Sequence, residues 1–599
     1  MIETATDILA AHRAGAATPA DTVARSFARI RAHGDAAVFI NLRDEADAIA
    51  DAKAIAAEGQ TDLPLYGVPV AIKDNIDVKG MATTAACPAF AYQPAHDATC
   101  VACLKRAGAI VIGKTNLDQF ATGLSGTRSP YGIPRNAFKA GLIPGGSSSG
   151  SAVAVAAGLV PIALGTDTAG SGRVPAMLNN IVGLKPSLGL ISTYGVVPAC
   201  RTLDCVSVFA LTTDDAWSVL AAIAGPDPND PYSRSSPIEA LSAPSAELRL
   251  GVPAPGARVF FGDKVAAAAY DDAIARLKRL GATVVEIDIE PFYETARLLY
   301  DGPWVAERLV ATRSLLASSP EAMHPVTREI IVGADRITAA DAFAAFYKLE
   351  ELRRVADQVF RHIDVLALPT APTVYTVEQM LKDPIQLNSR LGTYTNFVNL
   401  LDLCGLSVPA SVRPDSMPFG ITLLAPSGAD ARLASLGRLF HADTALPLGA
   451  MAAPQPPLPP YPKRAADGEV ALAVIGAHLS GMPLNHELRE LGGRLLERTA
   501  TANDYRFYAL TDAQPPKPGL LRVEPGQGAA IEVEIWALPV NGFGRFVAAV
   551  PPPLSIGTLK LGDGRTVMGF LVEAAAVAGA RDISSFGGWR AYLAQSKVA

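Results

Sequence analysis

Between residues 8 and 30 the apolar side chains Ile8, Leu9, Val23, Phe27 and Ile30 recur among polar and charged neighbours. That periodicity predicts an amphipathic helical stretch, and Thr18-Pro19-Ala20-Asp21 within it carries the signature of a helix start. Residues 65–72 form instead a short apolar run rich in Val and Ile, suited to a strand covered on both faces. Residues 109–113 and 160–164 read the same way, with helical patterns at 99–107 and 151–158 between them. Strands alternating with helices predict an α/β core.

Six prolines, Pro454, Pro456, Pro457, Pro459, Pro460 and Pro462, then crowd into one stretch. Such a run can neither continue a helix nor pair in a sheet, and acts as a semi-rigid spacer. The expected division is a first domain over 1–450, a linker over 451–466 and a second domain over 467–599. In the second, residues 470–475 and 531–535 read as strands and 484–498 as a helix, which predicts a small α+β domain.

Composition narrows the function. Of 599 residues 49% are hydrophobic and 18% charged, which favours large buried cores over disorder. The net charge of -6 carries no basic block, so neither nucleic acid nor an anionic membrane is the expected partner. The start Met1-Ile2-Glu3-Thr4 lacks a basic n-region and an apolar stretch, and the long uncharged segment at 140–166 is broken by its Gly/Ser half and Pro161. These features predict a cytoplasmic protein without a membrane span. The six cysteines are expected to be reduced, and Cys100 and Cys103, with His96 nearby, lack a second pair to complete a metal site. Eight histidines leave few resources for a histidine-centred relay.

Three motifs carry candidate chemistry. Val68-Pro69-Val70-Ala71-Ile72-Lys73-Asp74-Asn75 ends an apolar strand on a lysine; exposed it would be a snorkelling cation, desolvated it becomes a base. Gly145-Gly146-Ser147-Ser148-Ser149-Gly150-Ser151 lacks the Gly-Lys-Ser/Thr ending of a phosphate loop, and the closely flanking elements count against a flexible linker. Gly165-Thr166-Asp167-Thr168-Ala169-Gly170-Ser171-Gly172-Arg173 follows a strand, where Ser171 projects a hydroxyl while the N–H groups of Thr168, Ala169, Gly170 and Ser171 offer an oxyanion hole. No histidine neighbours any of the three, so a lysine-based hydrolase is the better expectation.

Together these motifs resemble the amidase signature family, over roughly residues 5–445. The resemblance implies an α/β/α sandwich around a mixed sheet and a Ser, cis-Ser, Lys triad: Ser171 as nucleophile, Ser147 as the bridging cis-serine and Lys73 as base. Ser147 and Ser171 lie 24 residues apart, the family's spacing, which selects Ser147 over Ser148.

Three further stretches resemble the allophanate hydrolase subfamily: residues 198–210, Tyr300 to Arg308, and the second domain with its 474–486, 515–520 and 585–593 segments. The resemblance implies that Tyr300 and Arg308 hold a small carboxylated amide, with Gly123 as a weaker substrate contact. Eight residues apart, the pair is expected on one helical face. For the second domain it implies a fold similar to γ-glutamylcyclotransferase-like proteins and a part in decarboxylating the product or in assembly. His478 is the candidate acid or anion contact there, with His486 and Glu534 weaker. No cofactor or metal is expected. No biotin-carboxylase-like region is visible, so urea carboxylase is expected as a separate pathway partner, and a homodimer as the assembly. The competing readings are a broad amidase, an amidotransferase component that passes ammonia to a partner, and a non-catalytic scaffold; the presence of all three triad residues opposes the last.

Overall fold

In the computed structural model the described residues are 3–244, 248–461, 463–466, 468–510 and 517–596. Pro462 of the spacer and the first two residues of the 515–520 motif lie outside them. The chain divides into two compact units, Met1–Ile238 with Arg249–Leu458, and Glu239–Leu248 with Pro459–Ala599. The short Glu239–Leu248 segment therefore belongs with the second unit, a placement that no hydrophobic pattern signalled.

The first unit is an α/β fold on one mixed sheet of eleven strands. In chain order these are β1 (Phe39–Leu42), β2 (Pro69–Lys73), β3 (Ile110–Thr115), β4 (Ile162–Asp167), β5 (Val182–Lys185), β6 (Cys205–Ala210), β7 (Arg249–Pro253), β8 (Thr283–Ile287), β9 (Val365–Pro369), β10 (Leu403–Val412) and β11 (Pro418–Pro426). Across the sheet they run β1-β3-β2-β4-β6-β5-β10-β11-β9-β7-β8. β2 is parallel to both β3 and β4, and β7 to both β8 and β9. The other ladders are antiparallel.

The apolar runs read from the sequence are these central strands. β2, β3, β4 and β6 are buried at every position, as their unalternating composition requires. One core joins Val23, Phe27, Ile112, Val153 and Phe209; a second joins Met177, Phe292, Trp304, Leu366 and Phe397. Burial of each such large side chain is worth about 1.5–3 kcal/mol relative to exposure. The stretch over residues 8–30 resolves into two helices, Ala5–Arg13 and Pro19–His33. The second begins where its start signature lies: the Thr18 side chain accepts from Asp21 N–H and Asp21 reaches back, closing a capping box.

The second unit carries a five-stranded sheet, ordered Arg494–Ala500, Glu532–Pro539, Glu469–Val474, Thr566–Val572, Leu554–Lys560. A three-stranded sheet of Lys517–Arg522, Tyr505–Leu510 and Arg581–Asp582 accompanies it. Here the expected helix at 484–498 is corrected. Only Asn485–Glu490 is helical, and Arg494–Ala500 pairs antiparallel with Glu532–Pro539. The Gly492-Gly493 step ends the helix, with Gly492 at φ +79°, and Leu495 and Leu496 then bury as strand residues. Among the described residues no helix is long and apolar enough to cross a membrane.

Candidate active site

Lys73 closes β2, and the parallel pairing of β2 with β4 sets its side chain beside Thr166. It is 0% exposed, so the snorkelling alternative does not hold. Its Nζ lies 2.7 Å from Ser147 Oγ and 2.7 Å from Thr166 Oγ1, with no carboxylate within 4.0 Å among the described residues. Burial pushes the lysine down to about 7, and Arg308 adds to the shift; Asp118, Asp204 and Asp167 oppose it from a distance. As an ammonium Lys73 donates to both hydroxyls. As a neutral amine it can accept the Ser147 proton, and near neutral pH both forms are accessible.

The Gly/Ser stretch is a fixed turn rather than a linker. The Gly146–Ser147 peptide is cis. Ser147 O accepts from Asp118 N–H at 3.0 Å, and Gly146 N–H donates to Leu124 O at 2.8 Å. Ser148 Oγ donates to Thr166 O at 3.2 Å and accepts from Thr166 N–H at 3.3 Å, tying this turn to the end of β4. The buried helix Ser149–Ala156 begins directly afterwards.

Ser171 lies four residues beyond β4, in a turn closed by a buried ion pair. Arg173 donates to Asp167 through Nε and Nη2, both at 2.9 Å, and Gly172 N–H adds a third bond at 2.9 Å. Removing one partner from such a pair costs about 3–5 kcal/mol. The Thr168 hydroxyl donates to Asp204, which also accepts from Ala199 and Cys200 N–H at 2.8 and 3.2 Å. Burial raises Asp204, and these bonds oppose it. Gly170 sits at φ +138°, where an added Cβ would lie 2.5 Å from Thr395 Oγ1, so the turn admits only glycine. Among the described residues the N–H groups of Thr168, Ala169, Gly170 and Ser171 have no hydrogen-bond partner, which leaves them free for an oxyanion.

Tyr300 and Arg308 do not share a helix, contrary to the spacing argument. Gly302 and Pro303 break the chain between helices Glu290–Asp301 and Trp304–Ser318, yet the two side chains still meet. The Arg308 guanidinium stands 5.5 Å over the Tyr300 ring, and its Nη2 is 3.5 Å from Tyr300 Oη. Arg308 is 2% exposed and donates through Nη1 to Thr122 Oγ1 at 2.9 Å, just before Gly123. The alternative of a surface ion pair with Glu307 or Asp301 fails, since Glu307 accepts from Thr202 N–H and Oγ at 3.3 and 2.8 Å. Among the described residues Arg308 has no carboxylate partner, so it is a buried cation available to an anion.

In the second unit His478 lines a cavity of about 180 Å³ with Ile475, Glu487, Lys517, Phe546 and Phe570. Its Nε2 is 2.9 Å from Glu487 Oε2, and its ring stacks on Phe570 at 5.5 Å. Burial holds His478 below the usual histidine range, with Glu487 opposing. His486 is exposed and bonds Pro483 O at 3.0 Å, outside that cavity. Glu534 is fully buried and accepts from Ser480 N–H, Ser480 Oγ, Trp536 Nε1, Arg498 and Arg590. It fixes the 476–481 loop from behind.

Sequence reasoning missed Thr166, Asp204, Glu487 and Lys517. Thr166, Asp204 and Lys517 lie inside the 165–173, 198–210 and 515–520 stretches; nothing local marks Glu487. Among the described residues no group of three His, Cys, Asp or Glu side chains is arranged to hold a metal ion.

The family described as Amidase matches residues 21–434. The chain belongs to the amidase family. Residues 470–594 match the allophanate hydrolase C-terminal domain. Within this family the chain is 41% identical to the allophanate hydrolase of Kluyveromyces lactis, whose structure it matches over 99% of both chains with a TM-score of 0.86. It is 45% identical over 558 residues to urea amidolyase of Saccharomyces cerevisiae, covering 90% of this chain but 30% of that protein. Urea amidolyase of Lachancea kluyveri is 44% identical over 571 residues, 93% of this chain and 31% of that one. The chain thus spans about a third of the length of the urea amidolyases it matches.

Proposed function

We propose that this amidase hydrolyses allophanate, the carboxylate of urea, at its terminal C–N bond. The observation that carries the reading is a buried lysine 2.7 Å from Ser147 Oγ, in a site that also holds a buried arginine, neither having a carboxylate partner among the described residues. Neutral Lys73 takes a proton from Ser147, Ser147 takes one from Ser171, and Ser171 Oγ attacks the carbonyl that bears the terminal NH2. The N–H groups at 168–171 hold the oxyanion. The proton returns through Ser147 to the leaving nitrogen, ammonia departs, and an acyl-Ser171 remains. Water, deprotonated along the same path, then cleaves the ester and releases the N-carboxylated carbamate. Arg308 and Tyr300 hold the substrate carboxylate throughout, with Gly123 beside them.

Loss of CO2 from that product leaves carbamate, and we assign help with this step to the His478 cavity. A His478→Asn variant should release the first ammonia at the native rate while CO2 release lags behind it. Simultaneous release of both at native rates would remove the role. Ammonia and CO2 stoichiometry with allophanate, set against malonamate and simple amides, tests the reading as a whole: faster turnover of simple amides would make the protein a broad amidase. Allophanate arises by carboxylation of urea, so urea carboxylase is the pathway partner this reading requires. Six unpaired thiols fit a reducing cytoplasm. Exposed Val310, Phe343 and Tyr347 offer an apolar surface for a homodimer, for which a sedimentation mass of one chain would be the contrary result.

A further inference from the structure

We propose that Arg128 is a positioning residue for substrate: its guanidinium fixes the Thr122–Gly123 peptide so that the Gly123 N–H joins Arg308 in holding the substrate carboxylate. The inference rests on the reading above that the substrate is carboxylated.

Arg128 is 1% exposed, and among the described residues it has no ion-pair partner. Asp118, which faces it, accepts instead from the main-chain N–H groups of Arg128 and Gly126, each at 2.9 Å. The guanidinium goes to carbonyls: Nη1 donates to Thr122 O at 2.8 Å and Nη2 to Pro384 O at 2.7 Å, while Nε is buried without a partner. A fully buried cation that is not neutralised locally is costly, and such groups are retained where they serve a site.

The consequence follows from peptide geometry. In a trans peptide the C=O and N–H point in opposite directions. Arg128 holds the carbonyl of the Thr122–Gly123 peptide, so the N–H of the same peptide faces away from it. That N–H has no hydrogen-bond partner among the described residues. From the other side Arg308 donates to Thr122 Oγ1 at 2.9 Å and lies 3.4 Å from Ala121 O. One residue, Thr122, is thus held by two guanidiniums, one fixing its carbonyl and one its hydroxyl. Gly123 takes φ +156°, and a Cβ there would stand 2.6 Å from Asp118 Oδ2, so this buried amide comes with no side chain over it. Arg128 does not itself bind the substrate.

The test compares allophanate with biuret, in which a neutral amide replaces the carboxylate. In Arg128→Gln, KM for allophanate should rise roughly tenfold, with kcat and the biuret KM each within about threefold of native. A merely structural arginine would lower turnover of both substrates together, and equal loss on both overturns the inference, as does an unchanged allophanate KM. Should the glutamine variant not fold, as judged by circular dichroism and melting, Arg128→Lys carries the test. It keeps the charge without the planar fork, and should raise the allophanate KM roughly fivefold with kcat and the biuret KM each within about 1.5-fold of native. A native enzyme with no preference for allophanate over biuret strikes both this inference and the proposed function; a native preference that survives in the variants strikes this inference alone.

Discussion

Ser171→Ala should abolish ammonia release from allophanate, with kcat falling roughly 10⁴-fold or more, about 5 kcal/mol of transition-state stabilisation. The protein should stay folded, because the Ser171 hydroxyl makes no hydrogen bond among the described residues and its removal leaves nothing unsatisfied. Lys73→Met, which keeps the volume and removes the base, should lose activity comparably. The double variant should be little worse than either single one, since the groups act as a unit. The same lysine sets the pH response. Its conjugate acid is inactive as a base and its pKa is lowered to about 7, so kcat/KM of the native enzyme should rise with pH through about 7 and level off above it. More than about a hundredth of native turnover in Ser171→Ala would end the assignment of the nucleophile. A native profile flat from about pH 5.5 to 8 would end that of the base.

Arg308→Leu should lower kcat/KM for allophanate roughly 10²- to 10³-fold while changing that for a neutral amide less than about fivefold. Leucine removes the charge together with the bond to Thr122 Oγ1, so the neutral amide serves as the control for any loosening of that loop. Among the described residues this buried guanidinium bonds only neutral groups, its neighbouring carboxylate Glu307 being spent on Thr202, so an anionic substrate would bring its first charged partner. Charge-assisted bonds formed in a dry site are worth about 1.5–3 kcal/mol each, and a carboxylate accepts more than one. Steady-state kinetics on both substrates decides the point, and equal losses would leave Arg308 a structural residue.

Lys73, Ser147 and Ser171 stand out as candidates because each sits in a contiguous stretch whose residue types are unusual for its place, a lysine ending an apolar strand, a serine-rich turn and a serine after a strand, while the choice of Ser147 among its neighbours comes from the family spacing. The central strands were legible for a related reason, since burial on both faces leaves no alternation and produces unmistakable apolar runs. What escaped was set by distance along the chain. Thr166 reaches Lys73 across 93 residues, and Arg308 reaches Thr122 across 186. Residues 484–498 misled because their apolar spacing fits a helix, while Gly492-Gly493 stops it and sheet pairing claims the remainder. The Tyr300–Arg308 spacing misled in its geometry alone: two helices, not one, bring the pair together.

The placement of Glu239–Leu248 with the second unit bears on how this protein can be taken apart. Ala243 packs against the core that holds Leu472, Ile535 and Trp536, although more than two hundred residues separate it from the proline spacer. A single cut at that spacer would leave the C-terminal fragment without this strip of its own packing and leave the strip dangling from the N-terminal fragment. The second unit is discontinuous in the chain, so separate expression of the two sequence halves does not reproduce its folded parts, and a fragment carrying only residues 467–599 should melt below the same unit in the full chain.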